Sequence, residues 1–183
     1  MERLEDTGDV TAEFIDRWQR SEGGEHATYQ MFLTELCALL GVEQPEPGGD
    51  AYRFERRVEV TNWDGSTTSG RIYLYKRGCF VLEAKQGRFK PAPPPPPRLR
   101  LTIPKPPSKG HGVRGSKPWD DAMMRARAQA KRYADALPQG EPVPVFLIVV
   151  DIGYSFELFS DFTGTGRYYT PFPDTRSFRF SLA

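Results

Sequence analysis

Glu83 and Lys85 stand two residues apart at the end of an apolar run, Cys79-Phe-Val-Leu. Such a run, bounded by a turn, reads as a buried strand, and on a strand positions i and i+2 share a face. A carboxylate and an ammonium therefore project side by side. That pairing suits phosphodiester hydrolysis. The carboxylate can hold Mg²⁺, while the cation offsets charge on the transition-state phosphate and helps orient water. On an exposed strand the same two residues are an ordinary surface pair, so their meaning depends on what positions them.

The positioning elements can be read along the chain. Residues 1–12 read as a polar, loosely held lead-in. Phe14, Ile15 and Trp18 mark a short amphipathic helix over 13–20, interrupted by Ser21-Glu-Gly-Gly-Glu25. A second helix is expected over 25–40, with Tyr29, Phe32, Leu33, Leu36, Leu39 and Leu40 as its core stripe and Gly41 as its cap. A meander follows: a strand over 52–61, a turn at Asn62-Trp-Asp-Gly65, a strand over 70–75, a turn at Lys76-Arg-Gly78 and the strand over 79–86. A three-residue hairpin loop, with Gly78 in the left-handed position, sets residue 75 against 79. Tyr73 then lies opposite Val81, on the face of Glu83. A two-residue loop puts it on the other face.

Residues 91–118 hold ten of the seventeen prolines, interspersed with Arg98, Arg100, Lys105, Lys109, Arg114 and Lys117. The stretch 88–118 is expected to be an extended, polyproline-like, mobile insertion that interrupts one domain rather than separating two. Beyond it come a helix over 118–137, an apolar strand over 143–151 of the kind buried on both faces, and a shorter strand over 156–159. A Gly/Thr-rich loop over 163–173 and an edge strand over 177–182 close the chain. The order predicts a single α/β domain over 1–183, a mixed β-sheet flanked by helices.

Composition narrows the classes. Charged residues make up 27% and balance to +1, which leaves nucleic-acid binding open because a local basic patch hides in such a total. Met1-Glu-Arg-Leu-Glu-Asp6 is too acidic and polar for a targeting peptide, and no apolar run approaches the roughly 20 residues a bilayer demands. No membrane partner is expected. Cys37 and Cys79, without metal-type spacing, read as buried thiols in a reducing, bacterial-type cytoplasm. His26 and His111 have no partners at ligand spacing. Asp64 reads as turn chemistry.

Several stretches together resemble one family, the N-terminal domain of MmeI-like (Type IIL/IIG) restriction–modification DNA methyltransferases. They are Phe14-Ile-Asp-Arg-Trp18, the helix Glu25-His-Ala-Thr-Tyr29 through Gly41, and Gly70-Arg-Ile-Tyr-Leu-Tyr75 running on to Glu83-Ala-Lys-Gln-Gly87. Trp119-Asp-Asp-Ala-Met123, Arg125-Ala-Arg-Ala-Gln129, Leu147-Ile-Val-Val-Asp151, Gly164-Thr-Gly166 and Tyr169-Thr-Pro-Phe-Pro-Asp174 continue the resemblance. It implies a PD-(D/E)xK restriction-endonuclease-like core and Mg²⁺-dependent cleavage of double-stranded DNA. The methyltransferase and target-recognition regions would lie in a longer parent or a separate subunit. No SAM site is expected here, since a Gly-rich cofactor loop after a first strand and an Asn-Pro-Pro-Tyr-type motif are both absent.

Carried over residue by residue, the resemblance makes Glu83 a metal ligand together with the Ala84 carbonyl. Lys85 assists the water, and Gln129 and Tyr133 support Lys85. The family's second strand reads Gly-Arg-Ile-Asp-Leu-Tyr, and its aspartate binds metal. Tyr73 stands in that place here. A phenol, with a reference pKa of about 10, is neutral at pH 7 and a poor Mg²⁺ ligand. Cleavage is therefore expected to be lost or severely weakened, unless another carboxylate is recruited. Glu25 is the candidate, its other reading being a helix N-terminal acid favoured by the dipole. Arg125, Lys131 and Arg132 are candidates for phosphate contacts, or else part of a solvated charged face. The alternative function is a non-catalytic module that binds DNA or docks onto a methyltransferase.

Overall fold

The computed structural model describes residues 2–21, 25–88 and 112–182, with side chains in the first two stretches from residues 8 and 28 onward. Two helices lead, α1 (Glu2–Gln19) and α2 (Glu25–Leu40), followed by the meander β1 (Tyr52–Thr61), β2 (Thr67–Lys76) and β3 (Phe80–Lys85). After the insertion come α3 (Lys117–Asp135), β4 (Phe146–Asp151), β5 (Ser155–Ser160), β6 (Thr170–Pro171) and β7 (Arg179–Ser181). The first helix thus starts well before Glu13, and its backbone takes in most of the expected lead-in. At the end of α2, Gly41 takes a φ of 64°. The Gly41 N–H bonds Ala38 O at 3.1 Å and the Val42 N–H bonds Cys37 O at 3.0 Å, the paired bonds of a left-handed glycine cap.

Among the described residues the sheet has seven strands in the order β1-β2-β3-β4-β5-β6, with β7 also on β5. Every pairing is antiparallel except β3 with β4. The α1–α2 pair covers one face through Phe14, Trp18, Tyr29 and Phe32, which meet Leu82, Ala84, Val150 and Phe156. Helix α3 covers the other through Trp119, Met123, Ala126 and Ala130, which meet Val81, Leu147 and Val149. Two-sided burial explains the nearly unbroken apolar run of β4. That strand begins at Phe146 rather than Val143, since Pro144 has no N–H to give a ladder.

The β2–β3 hairpin takes neither of the two registers left open by its sequence. Its loop is Arg77-Gly78-Cys79, with φ 66° at Gly78, and it closes on Lys76 opposite Phe80. Tyr75 therefore faces Val81 instead of residue 79, and Tyr73 is level with Glu83 instead of Val81. The β2–β3 ladder ends at Leu74–Leu82, while β2 continues with β1 to Thr61–Thr67 as a two-stranded arm. Within that arm Glu55 has a φ of 55°, a conformation few residues other than glycine adopt, and the ladder skips from Phe54–Leu74 to Arg56–Ile72. Side-chain alternation slips there. Leu74 and Tyr73 both join the α2 cluster, and Ile72 joins the α3 cluster.

The insertion leaves and returns through a bonded neck. Arg88 and Val113 form a parallel bridge. The Arg88 N–H bonds Gly112 O at 3.1 Å and the Arg114 N–H bonds Arg88 O at 2.8 Å. Arg98, Arg100, Lys105, Lys109, His111 and the proline run lie outside the described residues. Just beside the neck, Asp151 is fully buried at the end of β4. Its carboxylate accepts the Gly87 N–H at 3.0 Å, Trp119 Nε1–H at 2.7 Å, and Arg114 through Nε at 3.0 Å and Nη2 at 2.8 Å. A second carboxylate orders the Gly/Thr-rich loop. Asp161 accepts the Thr163 N–H at 2.8 Å, its hydroxyl at 2.5 Å and the Tyr168 N–H at 3.2 Å. No helix among the described residues is long and apolar enough to cross a membrane.

Two outcomes follow from these carboxylates. Asp151→Ala leaves the buried Arg114 guanidinium and Trp119 N–H without their acceptor, so urea unfolding should report a loss of about 3–5 kcal/mol. Unchanged stability would show that the node is dispensable. The Thr163 hydroxyl and neighbouring amides hold the Asp161 carboxyl down at about 2, from an ordinary 3.8. Its folded pKa lies below the unfolded one, so its bonds stabilise the loop above about pH 4 and are lost as pH falls towards about 2. The protection of the Thr163 and Tyr168 amides, taken relative to their intrinsic exchange rates, should then fall in that window ahead of that of the β4 amides.

Candidate functional site

The site forms where β2 parts from β3. Glu83 is 0% exposed, and Lys85 Nζ bonds its Oε1 at 2.7 Å, with the lysine side chain only 12% exposed. This is a buried pair, not a surface one. The two point to the α3 side, because Glu83 pairs in register with Val149 and Lys85 with Asp151. The Ala84 side chain points the other way, into the α1–α2 cluster.

Tyr73, the first residue of β2 beyond the ladder, fills the gap. Lys85 Nζ lies 5.7 Å from its ring centroid, within cation–π range. On its other side the Tyr29 ring packs edge-on at 4.6 Å. Tyr29 is itself fixed: its hydroxyl donates to Glu55, and Gln30 Nε2 donates to that hydroxyl at 2.8 Å. Burial first, and then the Glu55 carboxylate, push the Tyr29 phenol well above its ordinary range, so it stays a neutral donor. Arg71 reaches the other Glu55 oxygen at 3.4 Å. The left-handed backbone at Glu55 and the two edge-to-face phenols thus form one wall beside Lys85.

A divalent cation needs several oxygen ligands converging on one point. Among the described residues no three His, Cys, Asp or Glu side chains come together to offer them. Asp151, the nearest acid in register, has both oxygens filled by Arg114, Trp119 and Gly87. The Glu25 side chain lies outside the described residues. The donor set that is described, one lysine-paired carboxylate beside a phenol ring, does not fit Mg²⁺.

The remaining candidates divide between inward and outward positions. Gln129 Nε2 bonds the Tyr133 hydroxyl at 3.1 Å, as i,i+4 spacing predicts. Tyr133 lies against Gly70 of β2, so closely that a Cβ there would come within 2.5 Å of the ring. Since Trp119 touches Asp151 at the other end, α3 crosses the sheet from β4 to β2 over the strand of Glu83 and Lys85. Arg125 and Arg132 are exposed, with no side-chain partner among the described residues. Lys131 bonds Asp135 at 2.5 Å. Arg127 turns inward over Phe159, its centroid distance 4.1 Å, and donates to Tyr169 O at 2.7 Å. Asp64 is occupied with Ser66, as expected of turn chemistry.

Sequence reasoning missed Asp151, Tyr29 and Glu55. Asp151 carried a signal, an acid closing an otherwise apolar strand, which must find partners if buried. Tyr29 was assigned to the core stripe and lies there, but its hydroxyl reaches Glu55 through the strand kink, which no residue type announces.

No curated protein and no solved structure matches the chain. A family model described as "MmeI, N-terminal domain" matches residues 9–183, nearly the whole length, and takes in most of α1, all of α2 and α3, the sheet and the neck of the insertion. The order of motifs and this match agree, and the chain belongs to the family of MmeI N-terminal domains.

Proposed function

We propose that this is the nuclease-type domain of a restriction–modification or phage-defence DNA methyltransferase, and that Tyr73 has closed its cleavage site. The observation that carries the reading is the Tyr73 ring held between Tyr29 and Lys85 where β2 and β3 part. A PD-(D/E)xK-like core would present its first carboxylate at that place. Glu83 and the Ala84 carbonyl would be remnants of a ligand set, Lys85 the remnant of the phosphate-stabilising cation, and Gln129 and Tyr133 its supports. The partner is double-stranded DNA in the cytoplasm, with the methyltransferase and target-recognition regions elsewhere in the enzyme.

A second reading, a non-catalytic module that binds DNA or docks onto the methyltransferase, draws support from α3. Its Arg125 and Arg132 are exposed and have no ion-pair partner among the described residues, while Lys131 needs only to leave Asp135. The two readings differ in whether a repaired site cuts.

Plasmid cleavage with Mg²⁺ or Mn²⁺ separates them, comparing the chain with Tyr73→Asp and with Tyr73→Asp/Lys85→Met. A restored carboxylate supplies several kcal/mol of transition-state stabilisation, so Tyr73→Asp should cut roughly a thousandfold faster. Adding Lys85→Met should abolish the gain. Cleavage by the unaltered chain would sink the closed-site reading. Failure of all three, with DNA still bound, would favour the second.

A further inference from the structure

The β1–β2 arm ends in a turn bonded more tightly than a solvent loop requires. The Asn62 N–H bonds Ser66 O at 2.7 Å, and the Gly65 N–H bonds Asn62 O at 3.0 Å. Asn62 Nδ2 donates to Ser66 Oγ and Thr68 Oγ1, both at 2.9 Å. Asp64 accepts the Ser66 N–H at 3.0 Å and its hydroxyl at 2.6 Å. This frame holds up one side chain that is packed on nothing. Trp63 is 99% exposed, whereas Trp18 and Trp119 are 5% and 2% exposed. An indole left in water forgoes a large hydrophobic gain, and the bonded turn keeps it from folding back. The tip is a pre-organised aromatic surface.

Between this turn and the last turn of α3 lies an open cleft of about 460 Å³, lined by Trp63, Thr61, Asn62, Glu59, Arg132 and Asp135. Asp135 is engaged by Lys131. The Arg132 guanidinium has no side-chain partner among the described residues. A flat aromatic face, an available guanidinium fork and polar edges meet in a space of small-ligand size. The lining mixes polar groups with Val60 and Ala136, an apolar side chain would leave the guanidinium unused, and a bare phosphate would leave the indole unused. A nucleotide uses both: its base stacks on an aromatic face and its phosphate takes the guanidinium. On the outer face of the arm, Arg57 stands directly across from Arg71, and among the described residues only Arg71 has a carboxylate, Glu55, at 3.4 Å.

We propose that the arm tip and the end of α3 form a binding site for an unstacked DNA nucleotide, its base on Trp63 and its phosphate on Arg132. The proposal rests on the reading of the domain as DNA-associated and names a contact that reading lacks. A base exposes its face only when out of the helical stack, so single strands, frayed ends or flipped bases fit and an intact duplex does not.

Because Trp63 is the exposed tryptophan, indole fluorescence reports on it directly. The full chain is titrated with a short end-labelled single-stranded oligonucleotide and with the same sequence as a duplex, following label anisotropy and tryptophan emission together. The single strand should bind tighter than the duplex, quench emission and shield Trp63 from acrylamide. Trp63→Ala, which touches no core, should melt like the unaltered chain and bind about tenfold more weakly, with Trp63→Phe restoring most of the loss. Arg132→Ala should weaken binding and flatten the salt dependence by about one charge. Binding without quenching, at equal affinity for Trp63→Ala, overturns the site and leaves the DNA reading standing. No binding of either oligonucleotide at low salt overturns both. Shielding of Trp63 that follows protein concentration instead of DNA assigns the tip to a contact between copies and overturns the site as well.

Discussion

The buried Asp151 carboxylate is the constraint on which the remaining geometry depends. A lone ionised group in an apolar interior is strongly unfavourable, so it persists only with every lone pair met. Its donors come from the end of the β3 segment and, far beyond it in sequence, from the return of the insertion and the first turn of α3. One arrangement of those segments satisfies the charge, and others leave it stranded. Replacing such a node with apolar residues can leave stability unchanged, so its contribution is better described as selecting a single packing. Lys85, beside Asp151 in register, inherits that definition, and Glu83 inherits it through Lys85.

The second determinant is the slip at Glu55. Regular alternation along β2 would send Tyr73 to the face of Tyr75, beneath α3. The left-handed residue on β1 skips one rung, and Tyr73 instead joins Tyr29 from α2. The phenol thus closes the parting of the strands from the α2 side while its ring edges Lys85. A phenol at this position differs from a carboxylate in both charge and shape, and stands as a wall where an acid would be hydrated. Buried Glu–Lys pairs also arise as plain structure, so the pair alone is weak evidence of chemistry. Its position at the strand separation is what makes it the candidate site proposed above.

Legibility followed the range of the underlying forces. Helix α2, its glycine cap and β1 were readable because periodicity and capping act within a few residues. The turn at Asn62–Gly65 was readable from side chains that bond their own backbone. The hairpin register was left open, because a glycine at position 78 is compatible with more than one loop and packing across the sheet chooses between them. The early start of α1 escaped notice because Glu2–Gly8 has almost no apolar periodicity. At the site, Glu83, Lys85 and Tyr73 were legible from spacing and family pattern. Their partners were not, since Tyr29 and Glu55 meet only through the backbone kink.

The parallel pairing of β3 with β4 has a kinetic side. β1, β2 and β3 follow one another through short turns and can associate early, whereas β4 reaches β3 only after the insertion and α3. Closing so long a loop is opposed by chain entropy until the non-local contacts form. Meanwhile β3 is a bare sheet edge, with Glu83 and Lys85 still hydrated. The ion pair at the heart of the site is thus among the last features to leave water as the chain folds.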